Sequence, residues 1–402
     1  MGVLRAYRFP LLLIVSIVAG AAVGGYAPAV AGTIKPLGDL FLNLIFMVIV
    51  PLVFLSIASS VASSRAATVS RITWAMLAVF LATSLVAALG SLLFFLIVAP
   101  TPGSGLALQP AAIQQAPATL AQLVRAVSVP SFAEMLTHRA MLPLMLFAAA
   151  VGMATRQLGE QGAPLARVLQ SGADVAIRLV DYVMLLAPLG LFAYFAATVA
   201  ETGEQLASAY LRLFTAYYLF GAGYFVAAFS AFAWLAGGGG GVRRFWSHML
   251  TPSLTALGTC SSMATVPANL EAAPRMGVSR EVSSLVIPVG AVIHKDGSVI
   301  GGVVKCLFAI SLFQFELTPA LLMLTVAVAI LVGVVVGAIP TGGMIGEALI
   351  LSVFGFGQEA LPLLAVISVI IDPLATLLNA TGDNAAAMLV GRLAQGGTQS
   401  AG

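Results

Sequence analysis

Along the first 240 residues, polar positions are scarce and punctuate long apolar runs of a length suited to membrane-crossing helices. The pattern predicts helices over residues 10–27, ended by Pro28, then 37–61, 74–99, 141–155, 168–199 and 210–235. A Pro/Gln/Ala-rich stretch over 100–129 reads as an external loop, and the glycine run Gly237 to Gly241 reads as a flexible hinge before a region of different character. From residue 245 onward the apolar segments shorten and are interrupted by small polar residues and prolines, as in segments that enter a membrane and turn back.

Two such hairpins are predicted. Residues 245–266 centre on Gly258-Thr259-Cys260-Ser261-Ser262, and residues 321–354 on Gly337-Ala338-Ile339-Pro340-Thr341-Gly342-Gly343. Each precedes an apolar helix with a polar interruption, His294 to Ser298 in the first case and Asp372 to Asp383 in the second. A hairpin followed by a broken helix thus occurs twice, and matching interruptions in two halves point to a solute site at an inverted-repeat interface. The sharpest interruption is His294-Lys295-Asp296-Gly297-Ser298, where three consecutive ionisable side chains lie in an apolar run. In lipid they cost several kcal/mol unless they face a cavity, a partner or an ion.

Composition sharpens this picture: 60% of the residues are hydrophobic, only 8% are charged and the mean hydropathy is +1.06. This is a polytopic membrane chain with room for on the order of eight to twelve crossings and no separate soluble domain. The net charge of +3 gives no reason to expect nucleic acid. Arg5, Arg8, Arg65, Arg71, Arg156, Arg167, Arg243 and Arg244 fall between helices in an alternating order, which predicts a cytoplasmic amino terminus. Cys260 and Cys306 lie in apolar context and imply no disulfide framework. The first apolar stretch reads as a retained helix, not a cleaved signal. No phosphate loop or hydrolytic constellation is present and His138, His248 and His294 are dispersed, which argues against a nucleotide-driven pump or an enzyme.

Several stretches resemble the dicarboxylate/amino acid:cation symporter family, the glutamate-transporter fold. Cys260-Ser261-Ser262-Met263-Ala264-Thr265-Val266-Pro267 is similar to the serine-rich tip of the family's first hairpin. Pro288-Val289-Gly290-Ala291 with His294 to Ser298 resembles its proline-leucine-glycine-alanine and asparagine-methionine-aspartate-glycine-threonine pair. Asp372, Thr376 and Asn379-Ala380-Thr381-Gly382-Asp383 resemble its last-helix signature, and Met47 to Phe54 its second helix. The resemblance implies an all-α polytopic fold of eight transmembrane helices and two re-entrant hairpins with inverted repeats. It further implies a homotrimer in the bacterial inner membrane, both termini cytoplasmic. Residues 1–240 would form mainly the scaffold, with its third and sixth helices joining the mobile transport core of residues 241–402 in an elevator mechanism.

By the same resemblance, Asp372 holds a solute amino group and Asn379 a carboxylate, joined by Ser261, Ser262, Thr265 and Thr376. Asp372 and Asn379 lie seven residues apart on one helical face. Read structurally instead, Asp372 pairs with a lysine and the hydroxyl residues pack helices. A cation set of Gly290, His294, Asp296, Asn379 and Asp383, with Thr83 and Ser84 of the third helix, suits sodium as an all-oxygen cage at Asn379 and Asp383. The alternative for Asp383 is a local turn cap with Thr381 and Gly382.

Ala375 stands where acidic-substrate members carry an arginine, which favours a neutral or zwitterionic, amino-acid-like solute over a dicarboxylate. Lys295 can replace a coupling ion and neutralise Asp296, balance Asp296 or Glu347, or receive a dicarboxylate. His294 can take up a coupling proton or serve structurally. Val334-Val335-Val336 stands where polar sodium ligands are expected, and Lys305 and Glu347 are expected to form an ion pair. The expectation is thus a sodium- or proton-coupled symporter without further cofactor, with a dicarboxylate symporter or a channel on the same scaffold as rivals.

Overall fold

The computed structural model describes residues 8–63, 71–98, 128–137, 140–202, 205–337, 343–357 and 359–395. The expected external loop, Arg5, Arg65, His138 and the tip of the second hairpin lie outside them. Among the described residues the regular structure is entirely helical.

The amino-terminal half comprises α1 (Arg8–Tyr26), α2 (Pro28–Ser63), α3 (Arg71–Val98), the single turn α4 (Phe132–Met135), α5 (Met141–Gln157), α6 (Ala163–Met184), α7 (Ala187–Thr202) and α8 (Gln205–His248). Pro28 ends α1 and also opens α2, where its missing N–H would be unpaired in any case, so the second helix starts nine residues before residue 37. The helix expected over 168–199 is two helices, α6 and α7, bent by 56°. The glycine run holds a kink: the backbone leaves helical geometry at Gly237 and Gly238, where the expected hinge falls, and divides α8 into two helical parts. The φ of +60° at Gly238 is one that glycine alone adopts readily.

The carboxyl-terminal half comprises α9 (Leu250–Thr259), α10 (Ser262–Arg275), α11 (Arg280–Ile293), α12 (Asp296–Leu312), α13 (Pro319–Gly337), α14 (Gly343–Phe354) and α15 (Ala360–Gln395). The α9–α10 hairpin turns at Cys260, in the left-handed region at φ 47°, and Ser261 caps α10 by accepting from the Ala264 N–H. The interruption between α11 and α12 is confined to His294 and Lys295, both non-helical. The interruption expected in the last helix is absent. α15 runs unbroken through Asp372–Asp383 with only Pro373 inside it, because the polar side chains there bond to partners without unwinding the backbone.

Helices α1, α2, α5, α6 and α7 pack mainly on one another. A second set gathers around α15, which touches α3, α8, α9, α10, α11, α12 and α14. Among the described residues, four helices, α2, α3, α8 and α15, are each long and apolar enough to cross a membrane, and the bent pair α6–α7 makes a fifth if it is one span.

Candidate functional site

The break between α11 and α12 sends its three ionisable side chains in two directions. His294 and Asp296 turn toward α3, α8 and α15, whereas Lys295 turns toward the first arm of the second hairpin, near Gly333.

On the first side, His294 is almost wholly buried and its ring stacks on Phe80 at 4.4 Å. Its Nδ1 lies 3.0 Å from Asp383 Oδ1, and its Nε2 lies 2.7 Å from Thr83 Oγ1 and 3.4 Å from Asp296 Oδ1. The Thr83 hydroxyl donates to the Phe80 carbonyl at 3.2 Å, which leaves it an acceptor toward the ring. A doubly protonated ring would donate to both Asp383 and Thr83, whereas a ring protonated at Nδ1 alone would donate to Asp383 and accept from the Thr83 hydroxyl. Asp296 is further held by hydrogen bonds from Ser84 (3.2 Å) and from the Tyr224 hydroxyl (3.0 Å).

Two buried carboxylates thus share one imidazole, and Asp383 Oδ2 is buried with no hydrogen-bond partner among the described residues. Gly290 makes the arrangement possible, since a Cβ there would stand 2.3 Å from Asp383 Oδ1. The Gly290 carbonyl accepts from the His294 N–H, so the cluster is not an all-oxygen cage: an imidazole sits at its centre. Asp383 caps no local turn, and the Thr381 hydroxyl donates to the Leu377 carbonyl.

Asn379 lies outside this cluster. Its amide donates to the Ser298 hydroxyl at 3.0 Å and accepts the Ser298 backbone N–H at 3.1 Å, so it caps the start of α12 from α15. Gly297 allows that close seating, because a Cβ there would be 2.3 Å from the Ala375 carbonyl. Ala375 is buried against that contact. Asp372 is exposed and accepts from Thr376 at 3.3 Å, with no lysine within 4 Å. In the first hairpin the Thr265 hydroxyl donates to the Ser261 carbonyl and the Ser261 hydroxyl serves as a cap, which leaves Ser262 as the buried hydroxyl nearest the tip.

Lys295 pairs with neither Asp296 nor Glu347. Only its Cβ and backbone carbonyl lie beside Gly333: the ammonium reaches back to donate to the Ala291 carbonyl at 2.5 Å, in the last turn of α11, with no carboxylate of the described residues within 4 Å and Asp383 and Asp372 acting on it from farther away. Lys305 and Glu347 do form an ion pair, at 2.7 Å, and Ser368 of α15 completes it by bonding to both. Val334 is exposed and Val335 buried.

Phe80, Tyr224 and Ser368 were not singled out from the sequence. A signal was present for Tyr224, since a tyrosine in an apolar helix needs a partner for its hydroxyl. Its neighbour could not be read without the fold.

Apolar helices around a buried charge cluster at an interrupted helix are the arrangement of a membrane transporter's site. The family model of the sodium:dicarboxylate symporter family matches residues 9–393, and the chain belongs to that family. It is similar to the C4-dicarboxylate transport protein of Stenotrophomonas maltophilia (strain R551-3), 30% identical over 322 residues, covering 76% of this chain and 70% of the relative. It is also similar to the C4-dicarboxylate transport protein of Rhodospirillum rubrum, 30% identical over 364 residues, covering 85% of this chain and 78% of the relative. A protein of the same name in Xylella fastidiosa (strain M23) is 29% identical over 77% of this chain and 70% of its own length. The chain is an integral membrane protein of a transporter family.

Proposed function

We propose that this protein is a cation-coupled symporter of a C4 dicarboxylate. The substrate class is supported by the relatives, all three of which are named for dicarboxylate transport. It displaces the neutral or zwitterionic solute expected from Ala375, whose backbone is occupied in seating Gly297.

One observation carries the coupling: two buried carboxylates, Asp296 and Asp383, share a single imidazole, and one carboxylate oxygen is left unsatisfied. With a neutral ring the cluster carries two negative charges and with a protonated ring one, so a cation taken up from one side lowers its charge in either case. The proton on His294 is the favoured coupling ion, because the ring already bridges Thr83, Asp296 and Asp383. Sodium at Asp383 Oδ2 is the alternative. The packing of α3 and α8 onto α12 and α15 supports counting them with a transport core of residues 241–402. That core would move against the remaining helices in an elevator within a homotrimer, both termini facing the cytoplasm.

A second reading keeps an amino-acid-like solute, because Asp372 is exposed and positioned with Thr376 to receive an amino group. The two separate in proteoliposomes, with succinate and serine as competing solutes at two pH values, with and without sodium. The dicarboxylate reading expects succinate uptake that rises at the lower pH and survives Asp372→Asn. Serine uptake abolished by Asp372→Asn, with no response to succinate, would replace it with the second reading.

A further inference from the structure

A dianion crossing a membrane needs a positive partner in the protein, and the described residues contain two buried lysines and no buried arginine. Lys305 is already neutralised by Glu347 at 2.7 Å. Lys295 has no such ion pair: it is 6% exposed, no carboxylate of the described residues lies within 4 Å, the charges of Asp383 and Asp372 act on it only from farther away, and of its three donors one reaches the Ala291 carbonyl.

Lys295 is the residue that precedes α12, and its ammonium reaches back to the Ala291 carbonyl in the last turn of α11. Its Cβ and backbone carbonyl lie beside Gly333 of α13, while Asp296 and His294 bond within their own cluster. The other polar groups near the break are already engaged: Asn379 with Ser298, and Thr376 with Asp372, itself an anion.

We propose that the Lys295 ammonium binds one carboxylate of the transported dicarboxylate, leaving the Ala291 carbonyl when the solute enters. The family resemblance placed that charge on an arginine at the position of Ala375. Here it would come from the opposite side of the break. The proposal rests on the dicarboxylate reading above.

The test compares binding of succinate and monomethyl succinate, which differ by one negative charge, to the purified full chain by thermal shift. In the unaltered protein, succinate should bind on the order of ten- to a hundredfold tighter, as a charge-assisted hydrogen bond implies. K295M should erase that preference, leaving the two ligands alike, and K295R should restore it. A role in folding alone would lower the melting temperature without changing the ratio. Should K295M fail to fold, K295Q provides the same comparison with a neutral side chain that still donates hydrogen bonds. If K295M or K295Q keeps the preference for succinate, the assignment of Lys295 falls while the dicarboxylate reading stands. If the unaltered protein binds neither ligand and binds serine, that reading fails and takes the assignment with it.

Discussion

Two groups of charge are buried in this molecule, and they differ in whether their charges cancel. In the Lys305–Glu347–Ser368 group one ammonium meets one carboxylate across α12, α14 and α15. In the His294–Asp296–Asp383 group two carboxylates share one imidazole, and Asp383 Oδ2 has no donor. An unpartnered oxygen does not separate the two, since Glu347 Oε2 is likewise buried without a hydrogen-bond partner among the described residues; their net charge does. Removing one member of the pair would leave a buried charge uncompensated, so the pair ties α12, α14 and α15 together. A group with excess negative charge favours an added cation, which is what the proposed coupling would use. The comparison turns on the net charge of each buried cluster more than on the presence of charge.

The largest effect that can break this contrast is on stability. Glu347→Leu or Lys305→Met alone should destabilise the protein by about 3–5 kcal/mol, because each leaves a buried charge unpaired. The double substitution should recover most of the loss and retain uptake. A double variant that folds but does not transport would move this pair into the machinery. Melting temperatures of the purified variants, with uptake assays on the double, decide it.

His294→Gln sharpens the other side. Removing the shared ring takes away charge-assisted hydrogen bonds worth about 1.5–3 kcal/mol each, so uptake should fall roughly ten- to a hundredfold and lose its pH dependence. Uptake against pH in proteoliposomes checks this, and an unchanged profile would leave His294 a structural residue.

Gly290→Ala probes the same cluster through its packing. The new methyl would meet Asp383 Oδ1 at 2.3 Å, displacing the carboxylate at a cost of about 1–3 kcal/mol. Uptake should drop while the melting temperature shifts modestly. Tyr224→Phe is the mildest change, removing one hydrogen bond to Asp296 at about 1 kcal/mol. Its expected signature is a small shift in the pH profile with folding intact.

Much of the fold was legible in the residues. Long apolar runs located α3 and α5 within a few residues, and the helix break at His294-Lys295 stood out because charge is rare in such runs. Pairing of Lys305 with Glu347 was legible for the same reason, since buried charges seek each other. The bend between α6 and α7 was passed over because Leu185 and Leu186 continue the apolar pattern, although Pro188, at the second position of α7, marks a helix start. The glycine run was legible in part: the helix breaks at Gly237 and Gly238, with Arg244 packed over Gly237, while Gly239 to Gly241 are helical. In α15, polar residues suggested an interruption that the backbone does not show, because Asn379 and Asp383 find partners across the helix interface.

Taken alone, the amino-acid sequence determined that the chain lives in a membrane, that a helix breaks at His294-Lys295, and that buried charge gathers around that break. Apolar periodicity and the rarity of intramembrane charge are local properties, so they can be read along the chain. Tertiary structure alone decided the partners: that Lys295 parts from Asp296, that Asn379 caps α12, and that Tyr224 and Thr83 close the histidine cluster. Those choices depend on which side chains meet across helices that lie far apart in sequence, and on the buried space that forces each charge to find a partner or go without one.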